Sequence, residues 1–220
     1  MAKITLEDVQ QEPRVNTFIQ KANDYLGVQG FTEHGFRHSS LVAGVARSVL
    51  QGLNFKEREA ELAAIAGYLH DIGNVVSRKG HCQAGGQIAL DILQDMGMPL
   101  DEVSDVAAAV GNHDEDEGSV VSCVSAALIM ADKSDVHRSR VRNTDFSTFD
   151  IHDRVNYAVE SSNLQVNPDR TITLELDIDT DISYVMEYFE IFLSRMVMCR
   201  RAANFLDARF ALVINGAQLL

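Results

Sequence analysis

Six side chains stand in an order that could hold metal ions: His38, the adjacent pair His70 and Asp71, His81, His113 and Asp132. Neutral imidazole and carboxylate are suitable ligands for Mn, Fe or Zn. Each falls at or near the end of a helical pattern. His38 opens one, and His70 with Asp71 closes the most apolar one. His81 precedes the next, His113 follows the one after, just past Gly111, and Asp132 lies late in another. Ligands drawn from several helices are how a bundle builds a metal site in its core. A single histidine near a helix end is more often a cap or a satisfied polar group. Asp132 has a stronger claim, because a carboxylate ending the run Ala126 to Ala131 is expensive to bury without a partner. The whole set, in order on successive helices, is hard to explain by chance.

The elements that must position these groups are legible from hydrophobic spacing. Val15, Phe18, Ile19, Ala22 and Leu26 recur at helical intervals, as do Leu41, Val42, Val45, Ala46 and Val49. Residues 60–69 are apolar nearly all round, which requires a helix buried on every side. Gly73 stands where that helix would want its C-terminus. Two amphipathic stretches follow, ending at Gly97 and Gly111, and residues 119–134 read as one more apolar helix. The character changes after about residue 150. Residues 164–166 and 171–178 flank the turn signal Asn167-Pro168-Asp169-Arg170, a hairpin. A long helix through Val185, Phe192 and Cys199 follows, and then a third strand at 210–214. The expected fold is mainly α: a helical bundle over residues 1–150, with a small α+β extension over 151–220 packed on the bundle or on a partner chain. The aromatic face of Tyr184, Tyr188, Phe189 and Phe192 allows a homodimer.

Composition narrows the function. The 220 residues hold 46% apolar and 23% charged residues, ordinary for a folded soluble protein. Nineteen Lys and Arg against 32 Asp and Glu leave a net charge of −13. Such a surface repels phosphate backbones and anionic lipid, which argues against a nucleic-acid duplex or a membrane surface as partner. A small anionic substrate remains open if positive charge gathers in one pocket. No run reaches the length of a membrane span, and the first residues lack the apolar core of a signal peptide. Three cysteines, Cys82, Cys123 and Cys199, form no disulfide framework and fit a reducing, cytoplasmic location.

The text Arg37-His38-Ser39, Leu69-His70-Asp71-Ile72-Gly73 and Ala131-Asp132-Lys133 resembles the HD-domain metal-dependent phosphohydrolases, over about residues 30–140. His81 and His113 look like the extra histidines of the binuclear branches. The resemblance implies a first divalent ion held by His38, His70, Asp71 and Asp132, and a second held by His81 and His113, with Asp71 bridging. Fe or Mn is expected, with Mg, Zn, Ni or Co as other occupants. It further implies hydrolysis of a small phosphate ester, a nucleotide first, by attack of a metal-bound hydroxide at phosphorus, with Asp71 and His70 as the catalytic pair. Two other readings share the ligand frame: an HD-type di-iron oxygenase and a non-catalytic metal-bound signalling module. Asn74 stands where many relatives carry Lys, and no Gly-Tyr-Pro motif follows His113, which weakens a cyclic-dinucleotide substrate. Cations near the ligands suggest an anion pocket. Lys133 and Arg138 lead, with Arg37, and His34 falls either at the pocket mouth or in solvent. Arg78 and Lys79 precede His81, while Arg140 and Arg142 divide evenly between such a pocket and ordinary salt bridges. Cys82 is read as a packing residue, because sequence neighbours point apart and cysteine is commonly buried.

Overall fold

The computed structural model describes residues 3–116 and 118–219. Among them are nine α-helices and one four-stranded sheet. Thr5 caps α1 (Leu6–Gln11) through a reciprocal capping box with Asp8. Pro13 opens α2 (Pro13–Val28), where its missing N–H costs nothing. The centre of the bundle is α3 (Phe36–Gly52), α4 (Glu57–Leu69) and α7 (Cys123–Ser134), which pack on one another. Residues 62–69 of α4 are all buried, as expected of a helix apolar on every side. The helices α3 and α4 approach closely because Gly67 faces the Ala43 backbone. A Cβ there would lie 2.9 Å from Ala43 Cα. The pair α5 (His81–Asp95) and α6 (Leu100–Gly111) completes the bundle.

The extension begins with α8 (Ile151–Ala158), which runs directly into β1 (Val159–Val166). The β1 strand pairs antiparallel with β2 (Thr171–Ile178), Leu164 opposite Leu174. Helix α9 (Val185–Phe205) then carries the chain across to β3 (Arg209–Ile214), which runs parallel to β2. A short β4 (Ala217–Gln218) closes the order β1-β2-β3-β4. Ile172, Leu174 and Leu176 of β2 are buried, and α9 lies against both α7 and β3. One hydrophobic core therefore runs from Val42 and Ile65 in the bundle to Leu174 and Leu212 in the sheet. No helix among the described residues is long and apolar enough to cross a membrane.

Several expectations need correction. The last bundle helix starts at Cys123, four residues later than 119, because the Ser122 hydroxyl caps it by accepting from Ser125 N. It ends at Ser134, so it does not carry on to Arg138. The first strand starts at Val159, five residues before 164, since polar Glu160, Ser161 and Ser162 sit on a half-solvated edge where apolar alternation is weak. Gly73 is not a helix terminator. Helix α4 stops at Leu69, and Gly73 lies inside a 3-10 turn (Ile72–Val75) where a Cβ would stand 2.0 Å from the His81 carbonyl oxygen. Tyr188 and Phe192 are buried within the chain and Phe189 is half-buried, so of the aromatic face only Tyr184 is left open to solvent.

Candidate metal centre

Helix ends bring the six candidate ligands together. His38 sits in the first turn of α3, and His70 and Asp71 follow α4. His81 is the first residue of α5, His113 stands two past the end of α6, and Asp132 lies in the last turn of α7. All four histidines and Asp71 are buried. His38 Nε2 lies 3.1 Å from His70 Nε2, 3.6 Å from Asp71 Oδ2 and 3.4 Å from Asp132 Oδ1. His70 Nε2 lies 3.2 Å from Asp71 Oδ2 and 3.6 Å from Asp132 Oδ1. His81 Nε2 lies 3.3 Å from His113 Nε2 and 3.5 Å from the other Asp71 oxygen, Oδ1. Ligands held about 2.1 Å from one ion are spaced roughly 3.0–3.4 Å apart in octahedral or tetrahedral arrangement. The observed spacings run from 3.1 to 3.6 Å, within a few tenths of an ångström of such a frame. Asp71 thus turns one oxygen to the His38–His70 group and the other to His81.

The protons support the same conclusion. Each of the four histidines has its Nδ1 against an oxygen: Asp135 Oδ2 at 2.6 Å for His38, Gly67 O at 2.8 Å for His70, Arg78 O at 3.0 Å for His81 and Val110 O at 2.7 Å for His113. Nδ1–H donation to those oxygens leaves a bare lone pair on every Nε2. Four such lone pairs and two carboxylates then crowd together in a buried space, which is unfavourable without positive charge. Protons can serve only in part. Burial opposes charge on His70, but the Asp71 and Asp132 carboxylates outweigh it and push its pKa up to about 10. Burial, and then a charged His70, push His113 down to about 3. Divalent ions satisfy all the lone pairs at once, so the donor set fits metals. Asp135 adds an orienting carboxylate behind His38, the arrangement that fixes ring and tautomer at metal sites. Asp135 stands three residues after Asp132, a spacing that is the one mark of this role in the sequence.

Residues 35–142 match the HD domain family. The chain carries an HD domain. HD domains bind divalent metals. An uncharacterized protein of Methanocaldococcus jannaschii is 25% identical over 203 residues, covering 81% of this chain and 78% of its own length. The crystal structure of a predicted HD superfamily hydrolase from an uncultured Thermotogales bacterium is similar at 22% identity with a TM-score of 0.44, over 56% of this chain and 67% of that one.

The cations around the HD-domain cluster are not arranged as expected. Lys133 does line the cleft, but it is buried between Asp132 Oδ2 at 2.7 Å and Glu115 Oε2 at 2.6 Å. Burial works against its charge, and those two carboxylates hold its pKa above the ordinary value. Arg138 is not brought to the cluster. It pairs with Glu160 at 2.8 Å and stacks on Tyr157, because the chain leaves the helix after Ser134. Arg37 holds Glu33 and Asp135, so it braces the carboxylate behind His38 and lies outside the cleft lining. His34 is half-buried at the cleft, its ring centroid 5.6 Å from that of His38. Burial and the Arg140 charge hold it well below the ordinary imidazole value, hence neutral at pH 7.

Sequence reasoning missed three groups and misjudged a fourth. Arg195 enters the cleft from α9, about sixty residues after the last ligand, with Nε 2.8 Å from Glu115. No local spacing could have placed it there. Glu115 and Asp114 also line the cleft, on the loop after His113. Cys82 does not point away from His81. Its Sγ lies 3.4 Å from His81 Nε2 and 3.8 Å from His113 Nε2, which makes these three a further group able to hold an ion. Burial pushes its thiol up to about 12 in the absence of an ion.

Proposed function

We propose that this protein is a phosphohydrolase that cleaves a small phosphate ester, a nucleotide first among candidates, with two divalent ions. The observation that carries the reading is the division of Asp71: Oδ2 belongs to the His38–His70–Asp132 group and Oδ1 to His81 beside His113. Two divalent ions held there would supply an acidified water as nucleophile and positive charge for the phosphoryl oxygens. Imidazole and carboxylate donors suit Mn or Fe.

The chain's own residues do the rest. His38, His70, Asp71 and Asp132 would hold one ion; His81, His113 and the second Asp71 oxygen would hold the other. Carbonyl and carboxylate acceptors behind each Nδ1 fix the rings, so no reorganisation is needed when charge develops. Asn74 Nδ2 donates to Asp71 Oδ1 at 2.8 Å and orients the bridging carboxylate. Asn74 thus supports a ligand where many relatives have Lys. Four cationic side chains balance four carboxylates in the cleft lining, so with neutral imidazoles the cleft is near neutral before any ion binds, inside a chain of −13. Two divalent ions would then make it the place where an anion is attracted.

The test is metal analysis of the purified protein, followed by a screen of phosphate esters, nucleotides included, with Mn added. Phosphate release that disappears in Asp71→Ala supports the reading. Oxygen uptake by an iron-loaded form without phosphate release would replace it with the oxygenase chemistry.

A further inference from the structure

Two guanidinium groups beside the cleft are left with donors to offer. Arg78 precedes α5, and Arg195 lies midway along α9 in the extension. Each is laid over an aromatic ring, Arg78 Cζ 5.6 Å from the Phe31 centroid and Arg195 Cζ 4.6 Å from that of Phe192. Stacking of this kind fixes the plane of the group while leaving its N–H edge open. Arg195 uses Nε on Glu115, and its two terminal nitrogens have no protein acceptor among the described residues. Arg78 makes only long contacts through Nη1, at 3.5 Å to Asn74 Oδ1, 3.4 Å to His81 Nε2 and 3.9 Å to Asp71 Oδ1. The other cations are committed. Lys133 is held between two carboxylates, and Arg140 is tied to the backbone carbonyls of Glu33 and Asp135.

Arg78 and Arg195 both line the metal cleft and a second cavity of about 250 Å³ beside it. Phe31 and Phe192 line that cavity too, and Asp150, Asp153 and Asn156 form another part of its wall. Its size falls below the roughly 300–1,000 Å³ of sites for drug-sized ligands. Phe31, 39% exposed, offers apolar surface, and two carboxylates accept hydroxyl or amino hydrogens.

We propose that Arg78 and Arg195 are a two-armed clamp for the substrate phosphate, and that the leaving group, a small one bearing hydroxyl or amino groups, occupies the adjoining 250 Å³ cavity. The proposal rests on the phosphohydrolase reading and adds to it the groups that recognise the substrate. Its physical basis is that a planar guanidinium with a free edge binds phosphate oxygens in bidentate fashion, whereas an already paired ammonium does not. The extension is then part of the active site, because its α9 supplies one arm and Phe192, and α8 supplies the wall.

The test uses the full chain loaded with Mn, with inorganic phosphate titrated by calorimetry, and with metal content measured on every variant. Arg195→Gln and Arg78→Gln should each keep their metals and weaken phosphate binding about tenfold or more. Asp153→Asn should leave inorganic phosphate affinity unchanged while altering the KM ranking among phosphate esters. Unchanged phosphate affinity in both arginine variants, or a loss that follows loss of metal, would overturn the clamp. If Arg195→Gln does not fold, Arg78→Gln decides, since its side chain makes no ion pair closer than 3.9 Å. Phosphate binding that depends on both arginines, in a protein that hydrolyses no phosphate ester, would leave the clamp standing and remove the hydrolase reading. Hydrolysis that neither substitution impairs would do the reverse.

Discussion

At the residue scale Asp71 differs from the other candidate carboxylate, because its two oxygens face two different groups of histidines, whereas Asp132 turns one oxygen to His38 and His70 and the other to Lys133. Asp71→Ala should therefore lose both ions. His81→Ala and His113→Ala should lose mainly one, since neither ring Nε2 is among the partners of His38. Metal-to-protein ratios measured on the three variants give the answer. A His81 or His113 variant that keeps two metals and full turnover would return those residues to purely structural roles. The same division is what the resemblance to HD-domain phosphohydrolases implies. Its cause was not legible: the Nδ1 acceptors are backbone carbonyls of Gly67, Arg78 and Val110, which carry no mark in the sequence.

At the scale of elements, the second ligand group depends on how the 3-10 turn seats on α5. Gly73→Ala would put a Cβ 2.0 Å from the His81 carbonyl oxygen, a backbone contact that cannot yield cheaply. A loss of about 3 kcal/mol in unfolding free energy is expected, together with weaker metal binding at His81. Urea titration and chelator competition measure the two effects. Helix α9 gives a second prediction. Burial pushes the Cys199 thiol from 9.0 up to about 12 and raises the Tyr188 hydroxyl as well. An acid whose folded pKa is raised stays protonated in the native state after the unfolded chain has let its proton go. Its contribution is therefore whole below about pH 9 and falls away as pH rises toward 12. Stability should drop across that window, and in Cys199→Ala the slope should become shallower without vanishing, because Tyr188 remains. An unchanged slope in urea unfolding between pH 8 and 11 would count against this.

Over the whole molecule, the bundle and the extension share one core. Leu212, fully buried in β3, lies far in sequence from the ligands. Leu212→Ala should cost about 2–5 kcal/mol and lower the melting of the entire helical signal. If the extension melted by itself, with the bundle's helicity intact, the two parts would be independent. The charge distribution works at the same scale: −13 over the chain, and four cations gathered in one cleft lining.

The ligand order, the buried helix at 60–69, the hairpin and the long last helix were all determined by the sequence alone, because each rests on local spacing, burial pattern or turn chemistry. A set of imidazoles at successive helix ends, together with an acid in an apolar run, announces itself without knowledge of the fold. The clamp was decided only by the tertiary structure. Arg138, close to Asp132 in sequence, is carried away when α7 ends at Ser134, while Arg195, sixty-three residues on, is carried in by α9. Cys82 turns toward the ligands instead of away, because the first turn of α5 abuts the 3-10 turn at Gly73. A side chain's helical face is a local property, but which cavity that face meets depends on packing between elements distant along the chain.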